Sequence, residues 1–115
     1  MISYEVTEWG MPLQQAIRET PQPQGTEVLV RVKYCGVCHS DVHIRDGYFE
    51  LGGGKKFLMS QRGMTLPVTL GHEPYGTVLS AGPQAHDAPL GEDRLVYPWT
   101  GCGACARCAE GMDNW

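Results

Sequence analysis

Glu27-Val28-Leu29-Val30-Arg31-Val32-Lys33, running directly into Tyr34-Cys35-Gly36-Val37-Cys38-His39-Ser40-Asp41, carries the clearest structural signal in the chain. Val28, Val30 and Val32 alternate with Glu27, Leu29, Arg31 and Lys33, the period of two that predicts a strand with the three valines on one face. That strand ends on two cysteines. Ser40 or Asp41 can then cap a short helix to about Arg45, which Gly47 would end. Outward from this core, Ile2–Trp9 and, more weakly, Leu13–Thr20 alternate around the turn Gly10-Met11-Pro12, and Pro21-Gln22-Pro23-Gln24-Gly25 breaks the chain. Downstream, Gly52-Gly53-Gly54 and Lys55-Lys56 predict a mobile surface loop from Leu51 to Gly63. Leu66–Leu70 and Gly76–Ser80 resume β character around Gly71-His72-Glu73. A turn region from Gly82 to Gly91 precedes a strand over Arg94–Trp99, and a Cys- and Gly-rich loop closes the sequence. Short strands joined by turns predict a mostly β fold, a barrel or a sandwich.

The 115 residues, 42% hydrophobic and 19% charged, fit one turn-rich domain with enough apolar surface for a core, which argues against disorder. No run approaches the ~20 apolar residues of a membrane-crossing helix. The net charge of −4 leaves no basic face for nucleic acid, so a small molecule or another domain is the expected partner. Met1-Ile2-Ser3-Tyr4-Glu5 has neither the basic start nor the apolar stretch of a secretory signal. The five cysteines fall into two tight groups, which points to metal ligation in a reducing, cytoplasmic compartment rather than to disulfides.

Cys102-Gly103-Ala104-Cys105-Ala106-Arg107-Cys108 is a C-x2-C-x2-C run, whose small residues let thiolates turn toward one centre. Zinc takes four such ligands in a closed structural site, so a fourth is expected from outside the run. Free surface thiols and an iron–sulfur nest are the alternatives. The second constellation joins Cys38, His39, Ser40, Asp41 and His43 at a strand end with His72-Glu73 after another strand. Sulfur and imidazole suit zinc, and an incomplete protein ligand set leaves room for a substrate oxygen. A hydrogen-bonded His-Glu pair is the plainer reading of His72-Glu73, and Cys35-x-x-Cys38 is also compatible with a redox pair, although the surroundings do not show the alternating βαβ pattern such chemistry uses. His86, in a polar loop, is read as solvated.

Four motifs occur in order: Tyr34-Cys35-Gly36-Val37-Cys38-His39-Ser40-Asp41, Gly71-His72-Glu73-x-x-Gly76, Gly91-Glu92-Asp93-Arg94-Leu95-Val96 and Gly101-Cys102-Gly103-x-Cys105-x-x-Cys108-x-x-Gly111. Together they closely resemble the zinc-dependent medium-chain alcohol dehydrogenases, over essentially the whole chain. The resemblance implies that residues 1–115 are the N-terminal segment of a GroES-like catalytic domain, an incomplete barrel, with the family's Rossmann cofactor domain absent from this chain. It implies that Cys38 and His72 are ligands of a catalytic zinc, with Glu73 and Asp41 as carboxylates beside it. Cys102, Cys105 and Cys108 would be three of the four ligands of a structural zinc. Ser40 would take the alcohol proton, His43 would relay it, and His39 would meet the pyrophosphate of NAD or NADP. The implied reaction is oxidation of an alcohol to an aldehyde or ketone with hydride transfer to NAD(P), in an enzyme that is a dimer or tetramer when intact.

The third catalytic ligand and a Gly-rich cofactor turn are missing from the sequence, so this chain alone is expected to be inactive and its length to reflect a truncation or partial sequence. Residues Leu51 to Met64 exceed the length of compact family members and are expected to border a substrate entrance or an oligomer contact. Trp99 and Tyr48 are candidate pocket residues. The rival reading is a small zinc-binding or interaction module without catalysis.

Overall fold

The computed structural model describes residues 1–112. The last three residues of the cysteine loop expected over Gly101–Trp115 lie outside the described residues. Eight strands form three antiparallel sheets. The first contains β1 (Ile2–Val6), β2 (Gln14–Ile17) and β6 (Val68–Thr69), in the order β2-β1-β6. The second contains β3 (Val28–Gly36), β7 (Glu73–Ala81) and β8 (Asp93–Leu95), with β7 in the middle. The third is a hairpin of β4 (Tyr48–Gly52) and β5 (Lys55–Leu58). Helix α1 (His39–Asp46) follows β3, a 3₁₀ turn covers Met59–Arg62, and a single-turn helix α2 (Ala106–Ala109) sits among the C-terminal cysteines. The mostly β expectation holds, and the sheets do not close into a continuous barrel. No helix among the described residues is long and apolar enough to cross a membrane.

Several boundaries depart from the sequence reading. The strand expected over Arg94–Trp99 is paired only at Asp93–Leu95, and that over Leu66–Leu70 only at Val68–Thr69. Val28 and Val32 are exposed. The β3–β7 register shifts between Leu29 and Val30 and again between Val32 and Tyr34. Such irregularities interrupt strict alternation, so the valine stripe no longer marks one covered face.

The larger correction concerns Leu51–Gly63, which is a hairpin and a 3₁₀ turn rather than a loop. Gly52, Gly53 and Gly54 all take positive φ, from 58° to 86°, and so make the tight reversal between β4 and β5. The same glycines that signal a breaker are what the hairpin requires. Lys56 Nζ lies 3.6 Å above the Tyr48 ring, so the exposed lysine places its ammonium over an aromatic face. The hairpin is anchored at its base, where Met59 N–H donates to Gly47 O at 2.8 Å and the Met59 side chain is 1% exposed.

Helix α1 ends as expected at Gly47, in the left-handed conformation with φ 85°. Its N-cap is Cys38, two residues earlier than Ser40, the nearer of the two expected caps. In β1, the Glu5 side chain is only 6% exposed and accepts from Arg18 Nε at 2.9 Å, Arg18 Nη2 at 2.6 Å and Ser3 Oγ at 2.7 Å. β1 in turn pairs with β6, the strand that leads to Gly71 and His72.

Two predictions follow from this packing. Arg18 and Ser3 hold the Glu5 carboxyl at about 2. A depressed carboxyl stabilises the fold above the unfolded value of ~4.3, and that stabilisation is lost as pH falls toward the folded value. Urea midpoints measured between pH ~4.5 and 2 should therefore fall less steeply in Glu5→Gln than in the parent, from a lower starting stability. Met59→Ala should cost about 2–5 kcal/mol in urea unfolding, because the side chain is fully covered and its loss leaves a cavity.

Candidate metal centres and cleft

The register of one strand pair assembles the first centre. Gly36, the last residue of β3, lies opposite Glu73, the first residue of β7. This pairing brings the Cys38 segment beside His72-Glu73, although more than thirty positions separate them in sequence. Gly36 has no side chain, and a Cβ there would overlap the Glu73 carboxylate, so glycine leaves the space that Glu73 occupies.

Asp41 fixes the geometry. Its Oδ2 accepts the Cys38 N–H at 2.9 Å, while the Asp41 N–H donates to Cys38 O at 3.0 Å, so the first turn of α1 is tied to the cysteine. Oδ1 accepts the Gly71 N–H at 3.2 Å and lies 3.4 Å from His72 Nδ1. The residue is 8% exposed. One carboxylate thus links the helix that carries Cys38 and Ser40 to the loop that carries His72.

The potential ligand atoms of Cys38, His72 and Glu73 all lie within 4.8 Å of one another. One sulfur, one imidazole nitrogen and one carboxylate oxygen at that separation are a donor set that suits zinc. With Nδ1 of His72 turned toward Asp41, Nε2 is the nitrogen left for a metal, an arrangement common among metal-bound histidines. Cys38 Sγ lies 3.6 Å from Ser40 Oγ.

Ser40 and His72 open onto a cleft of about 260 Å³, whose walls include Phe49, Met59, Arg62 and Trp99. Of the two expected pocket aromatics, Trp99 lines this cleft, whereas Tyr48 is not in its lining and lies under Lys56. The residues around Leu51–Met64 do border the cleft, through Met59, Arg62 and Met64. On α1, His43 stacks against His39 with centroids 4.5 Å apart and planes 8° from parallel, and its ring also packs on Phe49 at 4.5 Å. His43 thereby connects the wall of the cleft to the exposed His39. His86 is exposed, as expected.

The second centre is local. Cys102, Cys105 and Cys108 have their sulfurs within 4.8 Å of one another, with Cys105 and Cys108 at 3.5 Å and Cys102 and Cys108 at 3.9 Å. Cys105 is the N-cap of α2, so the single helical turn brings Cys108 back over it. The backbone N–H groups of Ala104 and Cys105, with the neighbouring thiols, draw Cys102 down to about 7. The backbone and thiol of Cys108 hold Cys105 below the usual thiol range. Lowered thiols at Cys102 and Cys105 make the loop chemically suited to a divalent metal that accepts sulfur ligands. Cys35 stands outside both groups, exposed at the end of β3 with its sulfur beside Gly71.

Sequence reasoning named every residue of the two side-chain clusters but missed Met59, Met64 and Arg62 in the cleft. One available signal was the absence of any Asp or Glu between Glu50 and Glu73, which leaves Arg62 without a carboxylate close by in sequence.

Comparison with known proteins gives the family. The alcohol dehydrogenase GroES-like domain matches residues 24–115. An NAD-dependent alcohol dehydrogenase of Saccharolobus solfataricus is 38% identical over 114 residues, covering 99% of this chain and 32% of that protein. The NAD-dependent alcohol dehydrogenase of Sulfurisphaera tokodaii is 37% identical over 114 residues, with the same coverage. A crystal structure of an NAD-dependent alcohol dehydrogenase superposes with a TM-score of 0.80 at 30% identity, covering 99% of this chain and 31% of that one. The chain spans about a third of the length of the curated relatives it matches. It therefore belongs to the alcohol dehydrogenase family of oxidoreductases, through its GroES-like domain.

Proposed function

We propose that residues 1–115 are the N-terminal segment of the catalytic domain of a zinc-dependent dehydrogenase, which oxidises an alcohol to an aldehyde or ketone and passes hydride to NAD or NADP. The observation that carries this reading is the convergence of Cys38, His72 and Glu73 within 4.8 Å, with Ser40 and His72 opening onto one cleft. Cys38 and His72 hold a catalytic zinc with the Glu73 carboxylate beside them, and Cys102, Cys105 and Cys108 hold a structural one. When bound, zinc supplies Lewis acidity that makes an alcohol hydroxyl easier to deprotonate, and the nicotinamide supplies a hydride acceptor.

The chain's own residues handle binding and the proton. Phe49, Met59 and Trp99 hold the carbon skeleton and exclude water. Ser40, at the mouth of α1 and on the cleft wall, accepts the hydroxyl proton while giving up its own. A hydroxyl cannot store charge, so the proton passes on to His43, whose imidazole can take up a proton on one ring nitrogen and release one from the other. His39, exposed one turn before His43, is placed to meet the cofactor at the surface. Asp41 orients His72 rather than touching substrate. The activity belongs to the intact enzyme, a cytoplasmic homo-oligomer with a Rossmann cofactor domain. The 115-residue chain is inactive by itself.

Metal analysis of the intact protein tests the reading. Two zinc ions per chain are expected. Cys38→Ser should remove one and abolish alcohol oxidation, and Cys105→Ser should remove the other and lower thermal stability. A single zinc that survives Cys38→Ser would assign the protein to metal-stapled modules without catalysis. Asp41→Asn keeps the side-chain size but weakens the acceptor for Gly71 N–H and the partner of His72. It should lower affinity for the zinc at Cys38 by roughly 10- to 100-fold in chelator competition, leaving the three-cysteine site loaded.

A further inference from the structure

Arg62 differs from the arginines that already hold an acid. Arg18, Arg45, Arg94 and Arg107 pair with Glu5, Asp46, Glu92 and Glu110. Among the described residues Arg62 has neither an ion pair nor a side-chain hydrogen bond. Its position is nonetheless fixed. It ends the 3₁₀ turn that begins at the buried Met59, and the Gly63 N–H closes that turn onto Ser60 O at 3.1 Å.

Arg62 also lines the cleft that holds Ser40 and His72, where the other walls are largely apolar, with Ile44, Phe49, Met59 and Trp99 among them. Arg62 is exposed and borders the open cleft, so it would meet an anion there as a hydrated cation at the rim rather than as a buried charge. Its planar fork matches a carboxylate through two parallel hydrogen bonds. Nothing in the proton path described above uses it.

We propose that Arg62 is a specificity-determining residue that selects an alcohol bearing a carboxylate, a short hydroxy acid, with the hydroxyl at Ser40 and His72 and the carboxylate on the guanidinium. The proposal rests on the dehydrogenase reading and names the substrate class of that same cleft.

The test compares short ω-hydroxycarboxylates with n-alkanols of the same length as substrates of the intact, zinc-loaded protein. Binding of butyrate, an unreactive carboxylate, is followed in parallel by calorimetry. The parent should prefer the hydroxycarboxylates. In Arg62→Gln that preference, expressed as a ratio of kcat/KM values, should fall roughly 10- to 100-fold, carried mainly by KM, and butyrate affinity should fall by a similar factor. Arg62→Lys should recover part of the ratio, and it keeps the cation if the neutral variant proves unstable. Arg62→Glu should shift preference toward ω-amino alcohols. Equal losses on both substrate series, or a change confined to the KM of the nicotinamide nucleotide, would overturn the proposal and assign Arg62 to packing or to the cofactor. If the parent oxidises no alcohol, the dehydrogenase reading fails, and butyrate binding decides separately. Binding lost in Arg62→Gln would uphold carboxylate recognition in the cleft, and absent or unchanged binding would overturn it.

Discussion

A single carboxylate, that of Asp41, governs the geometry on which the chemistry depends. It closes the first turn of α1 by accepting the Cys38 N–H, accepts the Gly71 N–H thirty residues away, and stands beside Nδ1 of His72. A mostly buried carboxylate is costly unless it is paired or well hydrogen-bonded, and this one meets the requirement through backbone donors on two separate segments. The consequence is mutual. The helix start and the His72 loop hold the acid, and the acid sets their separation. Cys38, His72 and Glu73 are therefore brought together by the fold itself, which reduces the reorganisation a metal must impose.

Register supplies the second constraint. Opposition of Gly36 and Glu73 at the junction of β3 and β7 converts a distance along the chain into proximity. The Glu73 side chain uses the room that the missing Cβ leaves at Gly36. The three-cysteine loop needs no such partner. Its sulfurs meet because Cys105 caps one helical turn and Cys108 follows three residues later.

Both side-chain clusters were legible in the sequence, for different reasons. The loop cysteines are a spacing motif, and spacing alone determines their proximity. Cys38 and His72 were joined through family resemblance, since nothing in composition or periodicity states the β3–β7 register. The cap was misread because Asp41 acts from the third helical position, reaching back to Cys38, so the acidic residue marks the start without occupying it. The period-two count found the β3 strand, but the two register shifts against β7 are invisible to it. The hairpin was missed because three glycines in a row signal both a break and a tight reversal, and only the pairing of Tyr48 with Leu58 and Phe49 with Phe57 distinguishes them. Met59 and Arg62 reach the cleft only through that tertiary arrangement.

The hairpin leaves the body of the fold at Tyr48 and returns at Leu58, directly opposite, with Met59 bonded back to Gly47. Entry and exit are thus clamped at one point, immediately after α1. A segment anchored this way can change length at its tip at little thermodynamic cost, because closure entropy grows only with the logarithm of loop length. The ligand-bearing start of α1 lies at the opposite end of that helix and keeps its own bonds to Asp41. The architecture therefore separates two kinds of sequence change. Exposed positions of the hairpin can be altered without touching the buried Met59 anchor, while the cysteine, histidine and carboxylates of the Cys38–His72–Glu73 cluster stay under independent constraint.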